Sequence, residues 1–365
     1  MDITIVGRCE GLFPYQAWPT VAKDGAGTLY AASSGHRLNH VCPFGKDYLY
    51  VSRDQGASWQ GPIIANDTYL DDRDAGLCAW GEGNLFLCWF NLPPDFYRRR
   101  AADPKPHNGA LRTPLGIAGM DAWDRLDPEQ LPSGSFARVS RDGGNSWSEP
   151  FRIPLTSPHG PVSVEGEKLL FIGKEMSWGG ELERGAVYAM DSADGGRTWN
   201  TLGKLPCPAG YGWGAVHEPH GIMLRDGTIL AALRVEGSCD QECLLTYISR
   251  STDGGRTFSQ PVRVADGAPP HLLEHSSGAV ILCYSKRRTH PQAQCVRISY
   301  DGGVTWSEEF AVSPQSPDWD HGYPSTAELS DGSLLTVYYQ KYPGDTYNSV
   351  LASRWELPGE REFSV

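Results

Sequence analysis

A short turn motif occurs five times in this chain, and its repetition constrains the fold more than any other feature. The copies read SRDQGASW, SRDGGNSW, SADGGRTW, STDGGRTF and SYDGGVTW. They occupy Ser52–Trp59, Ser140–Trp147, Ser192–Trp199, Ser251–Phe258 and Ser299–Trp306. A motif that returns about every 50 residues, among many short strands and glycine turns, is typical of a β-propeller.

A second pattern surrounds the motifs: an apolar strand, a glycine turn, another apolar strand, a variable loop, and a third strand. It occurs six times, beginning near AWPTVAKDG, DAGLCAWGEG, HGPVSVEGEK, HEPHGIMLRDG, HLLEHSSGAV and GYPSTAELSDG. The sequence therefore predicts one all-β domain over residues 1–365, a six-bladed β-propeller of four-stranded antiparallel blades. The sixth block shows only three clear strands, so we expect Ile3–Val6 to supply the outer strand and close the ring. A longer interval between the first two motifs indicates an insertion in blade two, at about residues 92–134.

Composition and charge limit the classes of binding partner and the cellular compartments that we expect for this chain. The net charge of −12 makes nucleic acid and anionic membrane surfaces unexpected partners. We find no apolar run long enough to cross a membrane and no signal-peptide pattern at the start. The nine cysteines have no framework spacing, which favours a disulfide-poor cytoplasmic protein.

Strand direction separates the motifs from the candidate site. Consecutive strands in a blade reverse direction, so the motifs fall on the face opposite to the starts of the first strands. Their Ser and Asp side chains can bond turn amides and their aromatic can pack between sheets, so we interpret them as structural. The other face collects ionisable groups, which predicts the functional site.

The blades that carry these motifs resemble the sialidase superfamily, whose six-bladed propellers carry such Asp-boxes. In that family three arginines bind the substrate carboxylate, a tyrosine is the nucleophile, a glutamate assists it, and an aspartate is the acid/base. The segment HEPHGIMLRDGTILAALR is similar to the one with the assisting glutamate and an arginine, which implies those roles for Glu218 and Arg234. GYPSTAELSDG places Tyr323 at the position of the nucleophile. Arg287 or Arg288 offers another arginine.

Blade one departs from the family pattern. Where sialidases usually have Arg-Ile-Pro, this chain has Ala17-Trp18-Pro19. Arg37 or Arg73 is our candidate replacement for the lost arginine. The family's acid also has no obvious counterpart, and the candidates are Asp72, His40 and Asp74, in that order.

Other polar residues on the same predicted face complete the set of candidates for substrate binding. They are His159, Lys174, His217 and His321. We predict no metal and no cofactor, because the histidines form no compact ligand pair apart from His217 and His220, which strand geometry aims at opposite faces.

These features predict an exo-acting retaining glycoside hydrolase of sialidase type. Its partner would be a small acidic sugar or oligosaccharide, such as a sialic acid or a related ulosonic or uronic acid, because guanidinium groups bind planar carboxylates. Two alternatives remain open: a propeller glycosidase or polyuronide lyase that uses His and Tyr, and a non-catalytic carbohydrate-binding propeller. The oligomeric state and the sugar linkage are not predicted.

Overall fold

The computed structural model describes residues 2–176, 181–237 and 244–359, and it forms six antiparallel sheets. Blade one contains β2 (Tyr15–Lys23), β3 (Leu29–Arg37), β4 (Lys46–Ser52) and β5 (Gln60–Asn66). Blade two contains β6 (Arg73–Trp80), β7 (Asn84–Asn91), β8 (Gly134–Ser140) and β9 (Phe151–Arg152). Blade three contains β10 (Leu155–Thr156), β11 (Val162–Glu165), β12 (Lys168–Glu175), β13 (Val187–Ser192) and β14 (Asn200–Lys204). Its inner strand is divided, since β10 and β11 both pair with β12.

The remaining three blades have the same strand order. Blade four contains β15 (Val216–Met223), β16 (Ile229–Glu236), β17 (Leu244–Ser251) and β18 (Val262–Ala265). Blade five contains β19 (His271–Glu274), β20 (Val280–Lys286), β21 (Ala293–Ser299) and β22 (Phe310–Ala311). Blade six contains β23 (Gly322–Glu328), β24 (Leu334–Lys341), β25 (Asn348–Trp355) and the N-terminal β1 (Asp2–Gly7). The predicted six-bladed propeller is therefore confirmed.

The ring closes through strand pairing between the two ends of the chain. β1 pairs antiparallel with β25, so the first strand of the sequence is the outer strand of the last blade. This confirms the expectation for Ile3–Val6. Pairing of this kind covers the edge of β25, which would otherwise offer free backbone groups.

Among the described residues, six of the eight buried hydrophobic clusters each fill the space between two neighbouring blades. One lies between blades one and two, for example, and contains Leu49, Leu77 and Leu87. Another lies between blades six and one, and Val6 of β1 belongs to it. Since each cluster needs both of its blades, the ring is stabilised as a closed set of interfaces.

The five repeated motifs form turns whose side chains satisfy their own backbone. In the second copy, Asp142 accepts from the Ser146 amide at 2.9 Å and Ser140 Oγ accepts from the Gly144 amide at 2.9 Å. Gly144 has φ 87°, and a Cβ there would lie 2.4 Å from Leu49 of blade one. The aromatic Trp147 packs into the cluster between blades one and two. The same bonds occur around Asp54, Asp194, Asp253 and Asp301.

Between β7 and β8 the chain forms a small helical layer. It contains α1 (Pro94–Ala101), α2 (Pro114–Trp123) and the 3₁₀ turns Pro106–Arg112 and Pro128–Gln130; a further 3₁₀ turn is Trp213–Ala215. The layer has its own core, in which Tyr97, Leu111, Met120 and Trp123 are buried. Among the described residues no helix has the length and apolarity to cross a membrane, and the seven cysteines they include are all free.

The pairing of β1 gives a stability prediction. Deleting residues 1–8 should lower Tm by about 5 °C or more, because it uncovers the edge of β25 and removes Val6 from an interface between blades. Val6→Asp should act in the same direction, since it places a charge at a position that is 5% exposed. The matched control is Leu12→Asp, at a position that is 72% exposed, and it should leave Tm nearly unchanged. Differential scanning calorimetry that gives equal Tm values for the deletion and the wild type would contradict this account.

Candidate active site

Four blades present a residue to the same cavity through the same backbone irregularity. The first strands of blades one, two, four and six each shift register near their start. At these shifts four non-glycine residues adopt the left-handed region: Trp18, Asp74, Glu218 and Tyr323, with φ of 55°, 57°, 44° and 55°. A non-glycine residue in the left-handed region destabilises the fold by about 1–3 kcal/mol, and such residues cluster at functional sites. A β-bulge places them there because it changes the direction in which a side chain points. A proline directly follows three of these four residues in the sequence, and this signal for the bulges was not used in the sequence analysis.

These four side chains line one cavity of about 610 Å³ at the start of the first strands. The wall also includes arginines from three blades and side chains from the helical layer. The other charged and aromatic residues that line it are His40, Arg73, Phe90, Phe96, Arg100, Lys105, His107, Arg234, Glu236, Arg287, Arg288 and Trp319. The volume lies within the usual range for sites that enclose a small ligand.

Tyr323, Glu218 and Arg234 form a hydrogen-bonded triad in this cavity. The Tyr323 hydroxyl donates to Glu218 Oε1 at 2.6 Å. An Arg234 guanidinium nitrogen pairs with Glu218 Oε2 and lies 3.3 Å from the Tyr323 oxygen. Arg234 is aligned by Glu236, which pairs with its second terminal nitrogen. The sequence assigned these three residues to one site from two separate blades.

Protonation in the triad follows from its charges. Burial, together with the charge of Glu218, raises the pKa of Tyr323 well above its ordinary value. Burial alone would raise the pKa of Glu218, but Arg234 and the hydrogen bond from Tyr323 outweigh it and lower that pKa. Near neutral pH the phenol is therefore protonated and the carboxylate is ionised, which is the pairing that a proton transfer from Tyr323 to Glu218 needs.

Arg73 and Arg287 join Arg234 in the wall of the cavity. Arg73 lies 4.3 Å over the Trp18 ring and donates to Asp71 at 3.1 Å. Arg287 donates to the Trp319 carbonyl at 3.1 Å, and its guanidinium is 3.9 Å from Asp320. Three guanidinium groups thus border the same space, each held by a neighbour.

Of the two candidate replacements for the lost arginine, the structure brings only Arg73 to the cavity. Arg37 is completely buried, and it forms a two-pronged ion pair with Asp71. Its second terminal nitrogen also donates to the His40 carbonyl at 3.1 Å. This position does not support the predicted binding role of Arg37, because both of its terminal nitrogens bond to Asp71 or to the His40 carbonyl, outside the cavity.

The three candidate acids lie in different surroundings. Asp72 is buried outside the cavity, where it accepts from Asn91 at 2.7 Å and Thr68 Oγ1 at 2.6 Å. Asp74 lines the cavity, and burial followed by the charge of Glu218 raises its pKa to about 7. Asp74 lines the cavity and Asp72 does not, so the geometry favours Asp74 over Asp72, opposite to the order given from the sequence; the role of the acid stays a prediction.

His40 also lines the cavity, as part of a network that the sequence did not indicate. Its Nδ1 lies 3.0 Å from the Tyr15 hydroxyl and 3.2 Å from Asp320 Oδ1. Asp320 further accepts from the Tyr339 hydroxyl at 3.1 Å. Burial lowers the pKa of His40 despite Asp320, so the ring is neutral near pH 7. Asp320 and Tyr15 were missed because they lie in a loop and at a strand start with no motif.

Besides Arg37, four predicted binding residues lie outside this cavity: His159, Lys174, His217 and His321. His159 contributes to a second cavity of about 660 Å³ along the inner strands, where its ring is 5.0 Å from His271. Lys174 donates to the Trp213 carbonyl at 3.1 Å and is 3.5 Å from His217 Nδ1. His321 is buried against Gln294 at 2.9 Å. None of these four side chains lines the cavity, whereas Arg288 does.

No metal centre is evident in the described part of the chain. Within residues 2–176, 181–237 and 244–359, no group of three or more His, Cys, Asp or Glu side chains is arranged to hold an ion. His217 and His220 are separated by the bulge at Glu218, and His220 stacks on His271 at 4.4 Å.

Comparison with known structures identifies similar propellers. A protein of unknown function from Dyadobacter fermentans DSM 18053 superposes with a TM-score of 0.74 at 21% identity, over 98% of each chain. The intramolecular trans-sialidase from Ruminococcus gnavus, solved with oseltamivir carboxylate, gives 0.65 at 15% identity over 100% of this chain and 98% of that one. An alpha-L-arabinanase from Penicillium chrysogenum, complexed with arabinobiose, gives 0.62 at 14% identity over 98% of each chain. At these identities the likeness establishes the fold.

The sequence comparison establishes the family. No curated protein matches the chain. The model of the BNR repeat-like domain matches residues 135–338, which is more than half of the sequence and includes four of the five repeated motifs. The chain is therefore a member of the BNR repeat-like family.

Proposed function

We propose that this protein is an exo-acting retaining glycosidase of sialidase type, which releases a terminal acidic sugar. The observation that carries the proposal is the 2.6 Å hydrogen bond from the Tyr323 hydroxyl to Glu218, inside a cavity that Arg73, Arg234 and Arg287 border together with two further arginines. A neutral phenol can approach an anomeric carbon that bears a carboxylate without charge repulsion, and an ionised glutamate can accept its proton.

Substrate binding would depend on Arg73, Arg234 and Arg287. A guanidinium group binds a carboxylate through two parallel, charge-assisted hydrogen bonds. Arg234 is shared between the carboxylate of Glu218 and the space of the cavity, so it can orient the substrate and the catalytic pair together. The chain has a net charge of −12, so the grouping of Arg73, Arg234 and Arg287 around one cavity favours an anionic ligand.

The reaction would proceed in two displacements. The Tyr323 oxygen attacks the anomeric carbon as its proton passes to Glu218, while Asp74 protonates the leaving oxygen and the glycosidic bond breaks. Water then attacks the glycosyl–tyrosine bond, with its proton taken by the carboxylate of Asp74 and the tyrosine oxygen reprotonated by Glu218. Two inversions at one carbon retain its configuration.

The two other functions that the sequence left open are separable by their products. A polyuronide lyase would use an uncharged base such as His40 and create a double bond that absorbs in the ultraviolet, whereas hydrolysis creates none. A non-catalytic propeller would bind sugars and turn over no glycoside. The likeness to an arabinanase adds neutral furanosides to the substrates worth testing.

Removing either partner of the catalytic pair should abolish turnover. We expect Tyr323→Phe and Glu218→Gln to lower kcat/KM for the 4-methylumbelliferyl glycoside of N-acetylneuraminic acid by about a thousandfold or more, since each change removes the nucleophile or its base. Matched controls are Tyr347→Phe, at a position that is 38% exposed, and Glu10→Gln, which is also exposed. Wild-type activity in either active-site variant, with both variants folded, would exclude the mechanism.

The pKa values in the cavity give a pH profile. As the general acid, Asp74 must be protonated, so activity should fall as the pH rises through about 7. Glu218 must be ionised, and because its pKa is lowered, the acidic limb should lie below its ordinary value of about 4.5. The measurement is kcat/KM from pH 4 to about 9.

Two variants test which aspartate causes the loss of activity at alkaline pH, which is the alkaline limb of that profile. Asp74→Asn should remove the limb and lower kcat/KM by about 10²–10⁴ for an alkyl glycoside, but far less for the 4-methylumbelliferyl glycoside, whose leaving group needs little protonation. Asp72→Asn should keep the wild-type limb, because Asp72 lies outside the cavity. Loss of the limb in Asp72→Asn alone would return the acid role to Asp72.

A further inference from the structure

The helical layer between β7 and β8 forms one wall of the catalytic cavity. It contributes Phe96, Arg100, Lys105 and His107 to the lining. Phe96 and Arg100 lie in α1, Lys105 directly precedes the Pro106–Arg112 turn, and His107 lies within that turn. This wall therefore belongs to a part of the chain separate from the blades that carry the catalytic pair.

The wall is fixed to the propeller by buried contacts. The Tyr97 hydroxyl donates to Asp71 at 2.9 Å, and the Trp123 indole donates to the Tyr69 carbonyl at 2.7 Å. The amide of Val41 in blade one donates to the carbonyl of His107 at 3.1 Å. With these anchors the polar groups of the wall are held in place before a ligand binds.

The charged groups of this wall are cationic, whereas the carboxylates that line the cavity come from the blades. Lys105 is exposed, and no described residue forms a hydrogen bond or an ion pair with its ammonium group. The nearest carboxylate to the Arg100 guanidinium is Asp103, at 3.8 Å, and the guanidinium lies 5.2 Å from the centre of the Phe96 ring. Asp74, Glu218 and Glu236 are the acidic lining residues, and two of them are already engaged by Arg234.

His107 adds a neutral hydrogen-bonding group to the wall. Its ring lies 6.1 Å from that of His40. Burial and the nearby Arg100 lower its pKa, so it is uncharged near pH 7. The wall thus combines two cations, one uncharged imidazole and one aromatic face.

We infer that this wall is a second anion subsite, which binds a carboxylate-bearing sugar on the leaving-group side of the cleaved bond. The inference rests on the proposed glycosidase function and specifies its substrate as an acidic sugar attached to a second acidic sugar. The carboxylate of the released sugar has its own arginines on the blades, and the cavity of about 610 Å³ has room for more than one ring. Arg100 and Lys105 would then bind the carboxylate of the leaving unit, with Phe96 against its ring.

The test compares two probes that differ only in charge at the leaving-group position. These are the 4-carboxyphenyl and 4-carbamoylphenyl thioglycosides of N-acetylneuraminic acid, whose sulfur linkage resists hydrolysis. We expect wild type to bind the carboxylate probe about five- to tenfold more tightly by isothermal titration calorimetry, as charge-assisted contacts at a partly exposed site allow. Raising the salt concentration should reduce this ratio.

Variants locate the effect on the wall. Arg100→Gln combined with Lys105→Gln should bring the ratio close to one and leave the affinity for the carbamoyl probe within about twofold. Arg99→Gln is the matched control, because it removes an exposed cation from the same helix outside the cavity, and it should keep the wild-type ratio.

The outcomes separate this inference from the function on which it rests. Tight binding of both probes with equal affinity by wild type would reject the second anion subsite and leave the glycosidase proposal standing. A ratio that persists in the double variant would place the discrimination elsewhere and also reject the subsite. Binding of neither probe would reject the acidic-sugar function, and the subsite with it.

Discussion

The buried carboxylate of Asp71 connects the parts that build the cavity. It forms the two-pronged pair with Arg37 of blade one, accepts from Arg73 of blade two at 3.1 Å, and accepts from Tyr97 of the helical layer at 2.9 Å. Asp71 and Arg37 are both completely buried, so neither charge is tolerable without the other. The positions of Arg73 and of the layer that carries Arg100 and Lys105 therefore depend on the contacts of one buried side chain.

The cavity combines strained backbone with opposed charges. At each bulge a residue in the left-handed region turns its side chain inward, and the ring geometry brings four such residues from different blades to one space. Arg234 then lowers the pKa of Glu218, while the negative charge of Glu218 raises that of Asp74. Two carboxyl groups in one cavity thus differ in protonation near pH 7, and this difference allows one to accept a proton while the other donates one.

The fold could be predicted from sequence patterns because each blade repeats the same short-range arrangement of strands and turns. Apolar strands recur in all six blades and turn motifs in five of them, and even the N-terminal strand followed from the missing fourth strand of blade six. The triad of Tyr323, Glu218 and Arg234 was also reached, since strand order puts the starts of all first strands on one face. Asp74, Asp320 and Asp71 could not be ranked in this way, because bulges and loops decide which of two adjacent side chains faces inward.

Trp18 illustrates how the departure in blade one changes the site without removing its charge. It follows Ala17, which stands where the family resemblance implied an arginine, and its ring lies between Arg73 at 4.3 Å and Arg37 at 4.8 Å. The aromatic face contacts both guanidinium groups: it holds Arg73 toward the cavity, while the fully buried Arg37 fixes Asp71 beneath it. On the blade-one side of the cavity, the positive charge therefore comes from Arg73 of blade two, which is held against the Trp18 ring. The same Asp71 anchors Tyr97, so this change in blade one and the presence of the helical layer are parts of one arrangement.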